Sequence, residues 1–308
     1  MPPPAWRLAL LALAACAHAP DPPSAASSDP QPPAPTAESA ASARPAARPL
    51  PYPWLTDPSA PAADGTLESR FPPPRGFARV PLPARSFGAW LRALPLAPPG
   101  TPVKSYLGRV VLPADHPNLA AVVAIDVGNA DLQQCADSVI RLHAEWLYAQ
   151  GRRDQSYRAA SGAAMPFARW ARGERMVPDG MGFAWKASAR ADGGRAAFRR
   201  WLDGVFAFAN TGSLARDAEP VAPDDLRPGD FVVQPGSPGH AVLVLDVARA
   251  GDRRALLLGQ GFMPAQSFQV LRPAEGSAWF LVEPGATALE TPFWRAFSWK
   301  ALRRFPGT

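Results

Sequence analysis

Hydrophobic positions divide the chain into three regimes. Leu8–Ala15 is a short unbroken apolar run. From Ala17 to Asp64 large apolar side chains almost vanish. Beyond that, clusters of Val, Leu, Ile and aromatic residues recur at strand or helix spacing. Phe231–Val233, Ala241–Val247 and Ala255–Gln260 read as buried strands, the last two joined by a hairpin turn at Ala250-Gly251-Asp252. Leu226-Arg227-Pro228-Gly229-Asp230 is a turn ahead of them. Leu119–Val127 reads as a further buried strand, and Phe77–Val80, Tyr106–Leu112, Ser267–Leu271 and Trp279–Val282 as shorter ones. Three helices are predicted by apolar stripes at helical spacing. These are Ser86–Leu94 with Ser86 as N-cap, a long one from Asn129 or Asp131 through Gln150, and Arg195–Asn210. Gly151–Met181 has no clear period and reads as irregular chain lining a cleft, with Trp170 a binding residue there. Phe293–Phe305, aromatic and basic, is expected to pack on the core, the alternative being a helix lying on a membrane.

The first two regimes set the domain plan. Arg7 followed by the Leu8–Ala15 run makes a secretory signal too short to span a bilayer as a helix. Leu13-Ala14-Ala15-Cys16 resembles the bacterial lipobox, which implies cleavage before Cys16 and lipid on its thiol. An ordinary secretory signal cut among Ala15–Ala19 is the alternative. Ala17 in place of Asp implies, by resemblance to proteobacterial lipoproteins, the outer membrane facing the periplasm. The chain has 39 prolines, of which 13 lie within Pro20–Asp64, so the excess belongs to this segment and not to the fold. Residues 1–16 are therefore a signal and 17–64 a Pro/Ala-rich tether that cannot bury enough surface to fold. Residues 65–308 are one globular domain, and Pro51–Trp54 begins to dock on it. The partner expected for the N-terminus is a membrane, reached through lipid.

Charge and motifs exclude several classes. The net charge is +6, but the Arg pairs are scattered and no basic run carries interleaved aromatics, so no nucleic acid is expected. The histidines, His18, His116, His143 and His240, are too dispersed for a zinc motif, and no phosphate-binding or G-x-S-x-G pattern is present. Neither metal nor cofactor is expected.

What remains is one cysteine near a helix start and one histidine at a strand start. Cys135 lies in the first turns of its helix, where free N–H groups and the positive dipole end favour a thiolate. His240 enters a core strand from a Gly/Pro loop and is held rigidly. Hairpin symmetry about Ala250 places Gln260 across from His240, where its carbonyl could orient the ring. Cys135 as nucleophile, His240 as base and Gln260 as orienting residue is a cysteine-hydrolase arrangement. It requires Cys135 Sγ within roughly 3–4 Å of the imidazole, in an open cleft. Each residue also has a plain reading: Cys135 as a small core residue, His240 as a hydrogen-bonded structural histidine, Gln260 as an edge polar residue. Asp137 is a binding candidate at the cleft edge, unless it caps the helix or pairs with Arg141.

The order of Cys helix, L-x-P-G-D turn, Gly239-His240 and apolar strand resembles the NlpC/P60 and CHAP branch of papain-like hydrolases. That implies an α+β fold with the Cys-bearing helix packed on an antiparallel sheet, and peptide substrates from the bacterial cell wall. Where those enzymes carry a D-C-S-G type motif, this chain has Gln134-Cys135-Ala136-Asp137. The blocks SFGAWLRALPL, QQCADSVIRLHAEWLYAQGR, PGDFVVQPGSPGHAVLVLDVA and LLLGQGFMPAQ resemble the DUF4846 family of bacterial envelope proteins, which implies a shared fold and no particular activity. A peptidase or amidase acting on peptidoglycan peptides is the leading expectation. A non-catalytic envelope binding module on the same fold, using Trp-rich loops, is the alternative.

Overall fold

The computed structural model describes residues 51–57, 60–274 and 276–308, all within one compact unit spanning 46–308. The signal, Cys16 and most of the tether lie outside the described residues. Of the stretch read as tether, Pro53–Thr56 is a short 3-10 helix whose Trp54 is buried. Trp54 Nε1 donates to the Ala124 carbonyl, and the Tyr52 hydroxyl donates to Trp90 O. The folded body therefore takes in the chain from Tyr52.

A large antiparallel sheet organises this body. Its strands run Leu119–Val122, Gln269–Leu271, Arg253–Gln260, His240–Ala250, Phe231–Gln234, Leu302–Arg304 and Glu219–Pro220 in spatial order. Ala78–Arg79 pairs the far end of His240–Ala250, and Phe280–Val282 pairs Arg253–Gln260. The fold is thus mixed α and β, with few helices and one dominant sheet. The Val- and Leu-rich runs form its centre because both faces are covered, so they need no polar alternation. On one face Ala241, Leu243 and Leu245 join a core with the helices Cys135–Ala149 and Arg195–Phe208. On the other, Val242, Val244 and Val247 pack with Leu289, Phe297 and Trp299 from the C-terminal segment. That segment is the hairpin Ala288–Thr291 and Trp294–Ser298, then a 3-10 turn and the strand Leu302–Arg304. It docks on the core, but as strands. Among the described residues no helix is long and apolar enough to cross a membrane.

Gly151–Met181 is more regular than its composition suggests. It holds the hairpin Ser156–Arg158 and Ala164–Pro166, the helix Phe167–Ala171, and the strand Glu174–Asp179, which pairs with Gly182–Ala187. Trp170 is buried in that helix, with Arg175 over its ring at 4.3 Å and Met176 and Gly204 beside it. It packs in this sub-core with its Nε1 buried and without a hydrogen-bond partner, and among the described residues no hydrogen bond or ring contact joins it to Cys135 or His240.

A candidate Cys–His site

Three elements bring the site together at the end of the sheet where His240 begins its strand. The helix starts at Cys135 itself, with Gln134 as N-cap, and not at Asn129 or Asp131. Residues 129–134 are instead turns pinned by Asp131, which accepts from the Gln134 side chain and from Ala265 N–H. Cys135 is therefore the first helical residue, where the unpaired N–H groups concentrate. Gly261 faces this turn so closely that a Cβ there would lie 2.2 Å from Ser138 Oγ and 2.9 Å from Gln134 O. Gly239 is equally confined, by Thr211 Oγ1 at 2.3 Å and Gln234 O at 2.8 Å from a Cβ. A side chain at Gly261 would press on the first turn of the Cys135 helix, and one at Gly239 on Thr211 and the loop after Gln234.

The sulfur sits against the backbone on both sides of His240. Cys135 Sγ donates to Gly239 O at 3.8 Å, and the N–H groups of Ala136, Ala241 and Cys135 approach it. The imidazole is oriented by Gln260, whose Oε1 is 2.7 Å from Nε2. A carbonyl oxygen only accepts, so Nε2 carries the proton and Nδ1 holds the lone pair. Nδ1 has no hydrogen-bond partner, and neither has Gln260 Nε2. The direct sulfur–imidazole hydrogen bond expected from the sequence is thus not formed, because the thiol is turned onto Gly239 O. Gln260 reaches the ring by a different register from simple hairpin symmetry. The turn centres on Gly251-Asp252 and a bulge interrupts the ladder between Val244 and Asp246. With Leu243 opposite Gly259, Gln260 lies level with Val242 and meets His240 diagonally along one face.

In place of an open cleft, the pair is closed over. Cys135 is 4% exposed and His240 and Gln260 0%. Trp294 covers the histidine with ring centroids 4.9 Å apart, and Phe262 approaches it edge-on at 5.0 Å. Burial pushes the Cys135 thiol up to about 11, aided by the Asp137 charge and opposed by the backbone N–H groups. Burial lowers His240 to about 4, the Gln260 bond opposing it. Both groups rest neutral at pH 7. Asp137 does not pair with Arg141. Its Oδ2 accepts from Gln134 N–H, its Oδ1 has no partner, and burial raises its carboxyl to about 8.

Arg141 serves the turn ahead of Cys135 instead. Its three nitrogens donate to Glu145 Oε1, Gln133 Oε1 and Asp126 Oδ1 at 2.8, 2.8 and 2.9 Å. Asp126 is drawn well below the ordinary carboxylate range by Arg141 and Arg199, against the effect of burial. The Asp230 of the L-x-P-G-D turn is structural in the same sense, accepting from Arg227 N–H and Arg304.

Sequence reasoning missed Trp294 and Gln234. Gln234 lies opposite His240 in the sheet, and its Oε1 accepts from Trp294 Nε1 and Arg295 Nε. The Gly/Pro loop between the two strands was the signal that could have paired Gln234 with His240. Nothing local placed Trp294 there. Among the described residues no group of three or more His, Cys, Asp or Glu could hold a metal ion.

A family model described as a domain of unknown function (4846) matches residues 67–304 of the chain. No curated protein and no solved structure matches it.

Proposed function

This chain belongs to the DUF4846 family of domains of unknown function, and on that premise we propose that it is a cell-envelope cysteine hydrolase, a peptidase or amidase. Cys135 is the nucleophile, His240 the base and Gln260 the residue that orients the imidazole. The observation that carries the reading is the His240 ring: Nε2 is held by Gln260 Oε1 at 2.7 Å while Nδ1, the basic nitrogen, is buried without a partner. An orphaned buried ring nitrogen costs stability, and the residue that carries it directly follows Gly239, whose carbonyl the Cys135 thiol contacts at 3.8 Å. The order of Cys helix, turn, G-H strand and polar residue on the next strand supports a papain-like, NlpC/P60-type relationship as part of the same proposal.

The chemistry starts from the neutral resting pair. Sγ gives its proton to Nδ1 as sulfur bonds to the amide carbonyl carbon. The imidazolium returns that proton to the leaving nitrogen as the C–N bond breaks. Water then attacks the thioester, Nδ1 takes its proton, and the departing sulfur regains it. Substrate entry requires the Trp294 hairpin to move off the histidine. Peptides of peptidoglycan are the proposed substrates, met by a protein exported through its signal and anchored by lipid on Cys16, at the outer membrane facing the periplasm.

The burial of Cys135 favours a second reading, a non-catalytic binding module for wall or glycan fragments. Purified muropeptides incubated with wild type and Cys135→Ser, followed by mass spectrometry, separate the two. The hydrolase reading expects cleavage by wild type and none by a Cys135→Ser protein of unchanged melting temperature. Retention of intact muropeptides by both proteins would overturn it in favour of the binding module, and so would equal cleavage by both.

A further inference from the structure

We propose that the groove beside His240 is a carboxylate-binding subsite, in which one oxygen of a peptide's free carboxylate takes the place now held by Gln234 Oε1. This deepens the hydrolase reading by naming a substrate chemistry, and rests on that reading only for the bond cleavage after binding.

The groove has a volume of about 600 Å³ and is lined by Gly236, Ser237, Pro238, Phe293, Trp294 and Arg295. That is room for a few peptide residues. One wall is the loop that runs directly into Gly239-His240. The other is the tip of the Ala288–Ser298 hairpin, whose two strands pair only with each other. Thr291 pairs with Trp294, so the turn contains just Pro292 and Phe293, and Phe293 takes φ +72°, a left-handed conformation that a bulky residue adopts at a cost. The strained turn sets out Trp294 and Arg295 side by side.

Their two donors converge on one oxygen. Trp294 Nε1 is 3.0 Å and Arg295 Nε 2.8 Å from Gln234 Oε1. Two N–H groups aimed at a single oxygen, one of them on a cation, form an anion receptor. What fills it here is a neutral amide, which leaves the guanidinium charge uncompensated. A carboxylate brings the opposite charge and a second oxygen for the fork of the guanidinium, neither of which an amide oxygen supplies. A carboxylate entering the groove therefore displaces Gln234 with a gain. It also removes the two hydrogen bonds that join the hairpin tip to Gln234, opposite His240. Trp294 touches both the groove and the His240 ring, so a peptide held by its carboxylate lies alongside the Cys135–His240 pair.

The test uses full-length Cys135→Ser protein, so that no probe is consumed. Acetyl-trialanine with a free C-terminal carboxylate is compared with its C-terminal amide by titration calorimetry. The acid is expected to bind at least about tenfold more tightly than the amide. Arg295→Ala and Arg295→Gln should bring the acid down to the level of the amide. Gln234→Ala, by removing the competing oxygen, should tighten the acid by about threefold or more. Arg295 is exposed, so its variants should melt with the parent. Equal binding of acid and amide, no saturable binding of the acid, or an unchanged affinity in both Arg295 variants would each overturn the subsite. If the acid binds in this pattern while wild type leaves muropeptides uncut, the subsite stands and the hydrolase reading falls. If muropeptides are cut and the acid has no advantage, the subsite falls alone.

Discussion

The Cys135–Ala149 helix treats its buried polar groups in two opposite ways. In its middle, Arg141 and Glu145 are wholly buried, and every nitrogen of Arg141 and both oxygens of Glu145 have partners. At its first turn, Asp137 Oδ1 is buried with none, and two strands of the sheet add His240 Nδ1 and Gln260 Nε2, also without partners. Buried charges are expected to be compensated, and each exception calls for a reason. Arg141 and Glu145 meet the rule and fix the turn that leads to Cys135, although His143 Nε2 between them is also buried without a partner. The first turn breaks it at the residues that a Cys–His chemistry would use. One element thus carries an ion-paired scaffold at Arg141 and Glu145 and, at its first turn, a buried acid that lacks a full set of partners.

The sharpest way to break the contrast is to remove the satisfied half. Arg141→Met leaves Glu145 and Asp126 without their shared cation in a buried setting, which should cost about 3–5 kcal/mol in urea unfolding. Arg195 still holds Glu145, and Arg199 still holds Asp126, so the loss falls at the lower part of that range. Asp137→Asn, which removes no ion pair, should change stability at pH 6 far less. A loss below about 1 kcal/mol for Arg141→Met would remove the distinction between the two halves.

The next effect reads the unsatisfied half through pH. The folded Asp137 carboxyl is raised to about 8 from 3.8, so in that window the native state holds a proton the unfolded chain has lost, and stability falls as pH rises. The buried histidines act oppositely. His240 at about 4 and His143 at about 3 stay neutral where the unfolded chain binds a proton, so stability rises with pH up to about 6.5. Between pH 6.5 and 8 the Asp137 contribution stands alone among these three. Wild type should lose about 2 kcal/mol there relative to Asp137→Asn, measured as the difference between two urea-unfolding series. Asp217 and Asp230 are also raised by burial but are common to both proteins and cancel. Parallel curves from pH 6.5 to 8 would mean that Asp137 is ionised in the fold and not an unsatisfied acid.

The sheet and the main helices were legible in the sequence because period and composition agree there. The runs at Phe231, Ala241 and Ala255 are apolar on both faces, and the stripe from Cys135 to Trp146 is strictly helical. Gln260 reaches His240, though by another register than the sequence suggests, while Cys135 turns its sulfur onto Gly239 O and not onto the ring. What was not legible is whatever depends on a single inserted residue or on distant docking. The bulge at Leu245 alters the register without leaving a Gly or Pro as a mark. Gly151–Met181 hides its strands because two are only 3 residues long and the third, Glu174–Asp179, shows no alternation of buried and exposed positions. Trp170 has the composition of a cleft residue, yet it fills a sub-core. The closed state of the site comes from Trp294, whose position is set by strands far along the chain.

The smallest effect on stability is expected at Gln260, where the consequence is one of proton placement. Its amide gives Oε1 to His240 and leaves Nε2 unsatisfied, so it is half a network. Gln260→Leu removes one orphaned donor at similar volume but leaves the buried His240 Nε2–H without its acceptor. The net result in urea unfolding should be a loss of about 1 kcal/mol. The His240 ring responds more. In wild type at pH 7 the ring is neutral and Gln260 Oε1 holds the proton on Nε2, leaving Nδ1 as the base. Without that acceptor neither nitrogen is favoured by a protein partner, and the two neutral tautomers should mix. Two-bond nitrogen–proton NMR of the ring reports this directly, as distinct nitrogen shifts in wild type and converging ones in the variant. Converging shifts in wild type would mean that Gln260 does not orient the imidazole, and Nδ1 would lose its claim to be the base beside Cys135.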